Sequence, residues 1–178
     1  MVKSDAKLTY NPPSNMRLGS GIMPISKLHA AGLIVGLALD GGANDNADFF
    51  SLMKAAVGLQ RATNESAVSY PSYRDVIKMA TLDGAKVLGL DKVTGSLKIG
   101  KSADLIIINP NVTNMAASFD EIALIALNAE PANVDLVIFS GRMLKQDGKI
   151  IFTSEPLEEL VLENQKTVDR LKSRQTAR

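Results

Sequence analysis

The chain has 178 residues, 46% of them hydrophobic and 22% charged, with a formal net charge of +1 and no cysteine. That length holds one good core or two small ones, and near-neutral charge excludes a general electrostatic draw toward nucleic acid or an acidic surface. Without cysteine there are no disulfides or thiolate metal sites, which leaves the cytoplasm as the default compartment.

No apolar run approaches the ~20 residues needed to span a bilayer, and the start, MVKSDAKLTY, lacks the basic-then-apolar order of a signal peptide. It reads as a chain that begins inside a strand. The stretch AKLTY (6–10) is rich in strand formers, and the prolines of NPPSN forbid further pairing, so a loop is expected there. Pro24 suits a first helical turn and Gly32 a C-terminal cap, which predicts a helix over PISKLHAAG and then a buried strand, LIVGLAL (33–39). Residues 47–63 place apolar side chains at 49, 50, 52, 53, 56, 57 and 59, with Lys54, Gln60 and Arg61 opposite, the stripe of a helix covering a sheet. SYRDVIKMATLDGAKVLGL carries Val76, Ile77, Ala80, Ala85, Val87 and Leu88 at broadly helical spacing, with a break expected near Gly84.

At about residue 95 the period changes. GSLKIGKSADLIIINP alternates and then turns continuously apolar, and residues 134–152 read as strands joined by turns at Ser140-Gly141 and Asp147-Gly148. FDEIALIALNAEP fits a short helix between these strands. From Ser154, Glu155 and Pro156 onward, Leu157, Leu160, Val161, Val168 and Leu171 mark a terminal amphipathic helix. The tail KTVDRLKSRQTAR, five bases against one acid, reads as solvated.

One position raises a question of chemistry. In LIVGLALDGG a buried strand delivers a single carboxylate, Asp40, to its C-terminal tip. Position alone leaves two roles open: a base for a reaction, or a cap for the following loop through backbone amides. Met16, Met23 and Met53 are expected in packing, and Asn15 in a turn or cap.

The segment TYNPPSNMRLGSGIMPISKLHAAGLIVGLALDGG resembles the late barrel segments of metal-dependent amidohydrolases of the cytosine-deaminase, chlorohydrolase and methylthioadenosine/S-adenosylhomocysteine-deaminase type, which read H-N-P-x-S-N-x-x-L-x-S-G and then G-L-G-T-D-G. TLDGAKVLGLDKVTGSLKIGKSADLIIIN and VDLVIFSGRMLKQDGKI are similar to the segments in which those enzymes re-enter and close a small β-domain. The resemblance implies an α/β fold: the last βα units of a (β/α)₈ TIM-type barrel over 1–94, part of a β-sandwich over 95–152, and a C-terminal amphipathic helix over 153–178. It implies hydrolysis of a non-peptide C–N bond, such as deamination of a small heterocycle, with a divalent metal, zinc or iron, as cofactor. Asp40 would touch that metal and take the proton from its water, and Tyr10 and Asn11 would contact substrate.

The same resemblance puts the H-x-H pair, two later histidines and the general-acid glutamate upstream of Met1, so the metal site is incomplete. The lone histidine, His29, falls on a helix rather than at a strand tip and is expected to be structural or at the surface. Tyr10 stands where the family pattern has histidine, and DGGANDNADFF lacks the serine of D-G-x-x-S-N-N, so no substrate contact carries over to Asn44 or Asn46. Two readings follow: the C-terminal portion of an amidohydrolase, inactive on its own, or a non-catalytic remnant or interaction module. In both, LIVGLAL needs cover that the helix at 47–63 supplies on one face only, so the chain is expected to bind a missing barrel half or a copy of itself.

Overall fold

A computed structural model describes all residues except 1–5, 42–45, 117–118, 152–155 and 177–178. Strand β1 (Leu8–Tyr10) pairs in parallel with β2 (Val35–Leu37), Leu8 opposite Val35 and Tyr10 opposite Leu37. A parallel pair cannot be joined by a tight turn. Here the crossover is made by α1 (Pro12–Leu18) and α2 (Ile25–Ala30).

Helix α1 corrects the loop expected at NPPSN. Proline ends a ladder, but at the first helical positions its missing N–H costs nothing and its fixed φ suits the helix. Pro12 and Pro13 therefore stop β1 and begin α1 in one step. Helix α2 follows Pro24 and ends at Gly32, where a φ of 81° turns the chain and Leu33 donates back to the Leu28 carbonyl at 3.1 Å.

The long helix α3 (Phe49–Thr63) starts at Asp48, whose carboxylate accepts from the Phe50 amide at 2.8 Å. It buries Leu52, Met53, Ala56 and Val57. Helix α4 (Tyr73–Ala80) opens with a capping box between Ser72 and Asp75 and buries Val76 and Met79. The break before α5 (Leu82–Val87) falls at Thr81, with φ −125° and ψ −95°, rather than at Gly84. Thr81 explains it: its hydroxyl donates to the Ile77 carbonyl at 2.8 Å and competes with the helix ladder.

Tyr10, Val35 and Leu37 meet Ile25, the apolar faces of α3 and α4, and Ala126 in one core. The opposite face of β2 is not bare. Gly36 lies against α5 so closely that a β-carbon there would stand 2.9 Å from the Gly84 Cα.

The second sheet is antiparallel, β3 (Leu105–Ile108), β4 (Val134–Phe139), β5 (Arg142–Gln146) and β6 (Lys149–Ile150), in that order. Both hairpins turn where expected: Ser140, Gly141, Asp147 and Gly148 all have positive φ, as two-residue turns with the twist of strands require. The alternating run from residue 95 does not pair, and only its last part forms β3. A polar knot holds the rest. Lys101 donates to the carbonyls of Asp91 and Thr94 and to the Ser96 hydroxyl. Asp104 accepts from the Ser140 amide at 2.7 Å, the Thr94 hydroxyl at 2.7 Å and the Ser102 hydroxyl at 3.0 Å.

Helix α6 (Glu121–Leu127), capped by Asp120, packs on α3 and α4. It lies within 95–152 yet its Ala126 joins the core of the preceding part. Helix α7 (Leu157–Thr176) ends the fold, and its expected start at Ser154 and Glu155 lies outside the described residues. Among the described residues no helix is long and apolar enough to cross a membrane.

Two tests follow. Gly36→Ala should lower the unfolding free energy by about 1–3 kcal/mol, because backbone rather than a flexible side chain must give way. Gly58→Ala, in open space on α3, should raise it by about 0.5–1 kcal/mol. Urea titrations in which the two variants move together would contradict this packing. The bond from the Ser140 amide, then that from Thr94, holds the Asp104 carboxyl below its ordinary range. Its contribution is complete above the unfolded carboxyl's value, about 3.9, and fades as pH falls through the lower folded one. Asp104→Asn should therefore cost stability at pH 7 and lose that cost in strong acid, read from urea midpoints across pH.

Candidate active site

Because β1 and β2 are parallel, their C-terminal ends open on the same side. Asn11 follows β1, residues 38–40 follow β2, and the Ala38 amide donates to the Tyr10 carbonyl at 3.1 Å, which extends the pairing beyond the strands. Asp40 then takes a φ of 60°. That left-handed conformation is costly for most residues but tolerated by Asp, Asn and Gly. It swings the carboxylate toward α1, where the Ser14 hydroxyl donates to Asp40 Oδ2 at 2.5 Å. Ser14 is 1% exposed while Asp40 is exposed, so a buried donor fixes a carboxylate that stays open to solvent.

Asn11 occupies the N-cap position of α1 but its side chain makes no capping bond. Its Oδ1 is buried and has no hydrogen-bond partner. A buried acceptor left unpaired costs roughly 1–3 kcal/mol, and such groups in native proteins call for an occupant or a function.

Tyr10 does not share this opening. It is 1% exposed, and its side chain lies in the core. Burial pushes the phenol's pKa up, and the nearby Gln60 amide pulls it down by less, although no bond of normal geometry joins them. Gln60 itself donates to the Met23 carbonyl at 2.8 Å.

His29 stacks on Tyr70 with ring centroids 3.9 Å apart and planes 6° from parallel, on α2 and away from the strand tips. Burial, then the charges of Asp75 and Asp83, pushes the Tyr70 phenol up to about 12. Met53 is in the core and Met23 packs against it, but Met16 is 58% exposed and fills no core. Asn46 accepts from the Asp48 amide at 3.0 Å and so shapes the entry to α3, while Asn44 lies outside the described residues.

A catalytic zinc takes three protein ligands from nitrogen, sulfur or carboxylate donors. Asp40 is a single carboxylate beside a hydroxyl, and among the described residues no three His, Cys, Asp or Glu side chains gather where they could hold a metal ion. The donor set of the described residues does not fit a complete metal site. A separate apolar cavity of about 650 Å³ opens between Thr9, Gly36 and Ala38 on one side and Leu97, Leu105 and Ile106 on the other. Neither Asp40 nor Ser14 lines it.

Two buried polar residues depart from expectation: Ser14, in a segment expected to be a loop, and Gln60, expected opposite the apolar stripe of α3 and found 2% exposed on its buried face. Ser14 was hidden by taking NPPSN as a loop; as a helix begun by its prolines, it sets Ser14 on the buried first turn. Gln60 continues the stripe 52, 53, 56 and 57 and is the polar member of a buried face, which spacing alone could have flagged.

The amidohydrolase family model matches residues 2–144. The chain is 39% identical over 160 residues to a 5'-deoxyadenosine deaminase of Methanothermobacter thermautotrophicus, covering 89% of this chain and 36% of that protein. It is 34% identical over 167 residues to 5-methylthioadenosine/S-adenosylhomocysteine deaminase 1 of Syntrophus aciditrophicus, covering 93% and 37%. Among solved structures, an adenosine deaminase from Xanthomonas campestris with bound zinc superposes with a TM-score of 0.87 at 26% identity, over 93% of this chain and 37% of that one. The chain thus spans a little over a third of the length of the curated relatives it matches.

The strand-tip geometry predicts a graded series. Asp40→Asn should leave stability within about 0.5 kcal/mol, since Asn tolerates the backbone and still accepts from Ser14. Ser14→Ala should cost about 1 kcal/mol, and Asp40→Val, which loses the bond and strains the backbone, about 2–3 kcal/mol. A Val variant as stable in urea as the Asn variant would rule out this arrangement.

Proposed function

The chain belongs to the amidohydrolase family, and from that premise we propose that it carries the catalytic carboxylate, Asp40, of a hydrolase that removes the exocyclic amine of an adenosine-like base. In this reading residues 1–94 are the C-terminal βα units of a barrel, 95–152 part of a β-sandwich, and 153–178 a terminal helix. The parallel pair with its helical crossover and the antiparallel four-stranded sheet support that division. The observation that carries the proposal is the Ser14–Asp40 bond, which fixes an exposed carboxylate at the C-terminal ends of parallel strands, where barrel enzymes hold their chemistry.

Deamination replaces the amine nitrogen on the ring carbon by a water oxygen. Asp40 takes a proton from the attacking water, and a new C–O bond forms. Asp40 then returns the proton to the departing nitrogen as the C–N bond breaks and ammonia leaves. Ser14 donates to one carboxylate oxygen and so fixes the face from which the other works. Asn11 offers its unpartnered Oδ1 to a substrate N–H, and Tyr10, buried directly before it, sets the position of that oxygen rather than touching substrate. The chain holds a single histidine, His29, stacked on Tyr70 on α2, so in this reading the metal's ligands come from another polypeptide segment and the chain does not work alone. A second reading, a non-catalytic module, draws on Tyr10, which stands in the core where the family pattern has histidine.

The test is complementation. The purified chain with zinc should not deaminate 5'-deoxyadenosine. Co-expressed with the segment of the Methanothermobacter relative that it does not match, it should do so, and Asp40→Asn should reduce that rate by about 10²–10⁴-fold. Turnover by the chain alone would overturn the dependence. A complemented rate unmoved by Asp40→Asn would overturn the role of Asp40, and a folded complex without turnover would favour the second reading.

A further inference from the structure

Helix α7 is the longest helix of the described residues and the least covered. From 157 to 175 every residue but Leu160 is exposed, with Val161, Val168 and Leu171 at 65%, 42% and 57%. Most helical stability in proteins comes from packing an apolar face. Such a face exists. Leu157, Val161, Asn164, Val168, Leu171 and Gln175 follow one another at intervals of four, three, four, three and four residues, the spacing of a two-helix seam.

Charge divides along this helix rather than around it. Residues 157–164 hold Glu158, Glu159 and Glu163 and no base, while 165–176 hold Lys166, Arg170, Lys172 and Arg174 against Asp169. Two copies laid parallel would set acid beside acid and base beside base. Laid antiparallel about Lys166, each acidic half faces the other copy's basic half, and the two helix dipoles oppose. The same arrangement sets Val161 of one copy against Leu171 of the other, and Leu157 against Gln175. An anionic lipid surface is the other taker of an exposed amphipathic helix, and the three glutamates of the first half work against it.

We propose that α7 is a self-association element through which two copies of this chain pair in antiparallel register along the Val161, Val168 and Leu171 seam. The pairing rests on the helix alone, not on the amidohydrolase reading, and its test reads no activity. In sedimentation velocity at micromolar concentration the whole chain should run as a dimer. Val161→Asp with Val168→Asp should weaken the dimer by at least about tenfold while leaving the core intact, since neither side chain is in it. The absence of native cysteine makes trapping clean. Mixed under oxidation, a Leu157→Cys chain and a Gln175→Cys chain should form a disulfide-linked pair, and Leu157→Cys alone should not link to itself. A monomer at that concentration, a dimer indifferent to the double substitution, self-linking of Leu157→Cys, or a monomer that binds phosphatidylserine vesicles instead of pairing would each overturn the proposal.

Discussion

The parallel pairing of β1 with β2 is the constraint on which the rest depends. Three paired residues on each strand fix the register, and because the strands run the same way the chain must return outside the sheet before it can pair again. That return, α1 and α2, sets Ser14 above the end of β2. The same geometry brings Asn11 and Asp40, distant in sequence, to one side of the sheet. An antiparallel pair would have put them at opposite ends.

The two faces of β2 are satisfied differently. On one, Val35 and Leu37 meet α3 and α4 by ordinary side-chain packing. On the other, Gly36 allows α5 to approach backbone to backbone. The first arrangement adapts to a change of side chain, whereas the second has no side chain to adjust. Beyond α5 the organisation becomes polar: Lys101 and Asp104 gather carbonyls, hydroxyls and an amide, and tie an unpaired segment to the β4–β5 turn. Residues 95–104 hold their course through hydrogen bonds rather than a core.

Much of this was legible in the sequence because each element carried its own period and stops. The stripe of α3, the turns at Ser140-Gly141 and Asp147-Gly148, and the burial of LIVGLAL all follow from local pattern. What escaped depended on competition between local signals. NPPSN satisfies both the rule that ends strands and the rule that begins helices, and only the tertiary crossover selects the second. Thr81 breaks a helix where glycine was the expected breaker, because its own hydroxyl takes the Ile77 carbonyl. The alternation from residue 95 has a strand's period but no second strand to pair with until Leu105. At the site, the position of Asp40 was readable, while its Ser14 partner and the burial of Tyr10 were not, since both depend on which side of β1 the next helix covers.

Strand β3 carries a further consequence. Among the described residues it is an edge of its sheet, uncharged along its length, with Ile106 and Ile107 half exposed. Such an edge is a template on which other chains could stack into a growing ladder, and at high concentration it would govern colloidal behaviour. Two features blunt it. The register with β4 shifts between Ile107 and Ile108, where Asp135 of β4 is the extra residue, so the local twist of the pair increases after three residues, and Pro110 follows Asn109 to deny an amide to any longer ladder. One register irregularity and one proline thus stand between this edge and a longer ladder, and neither touches the chemistry.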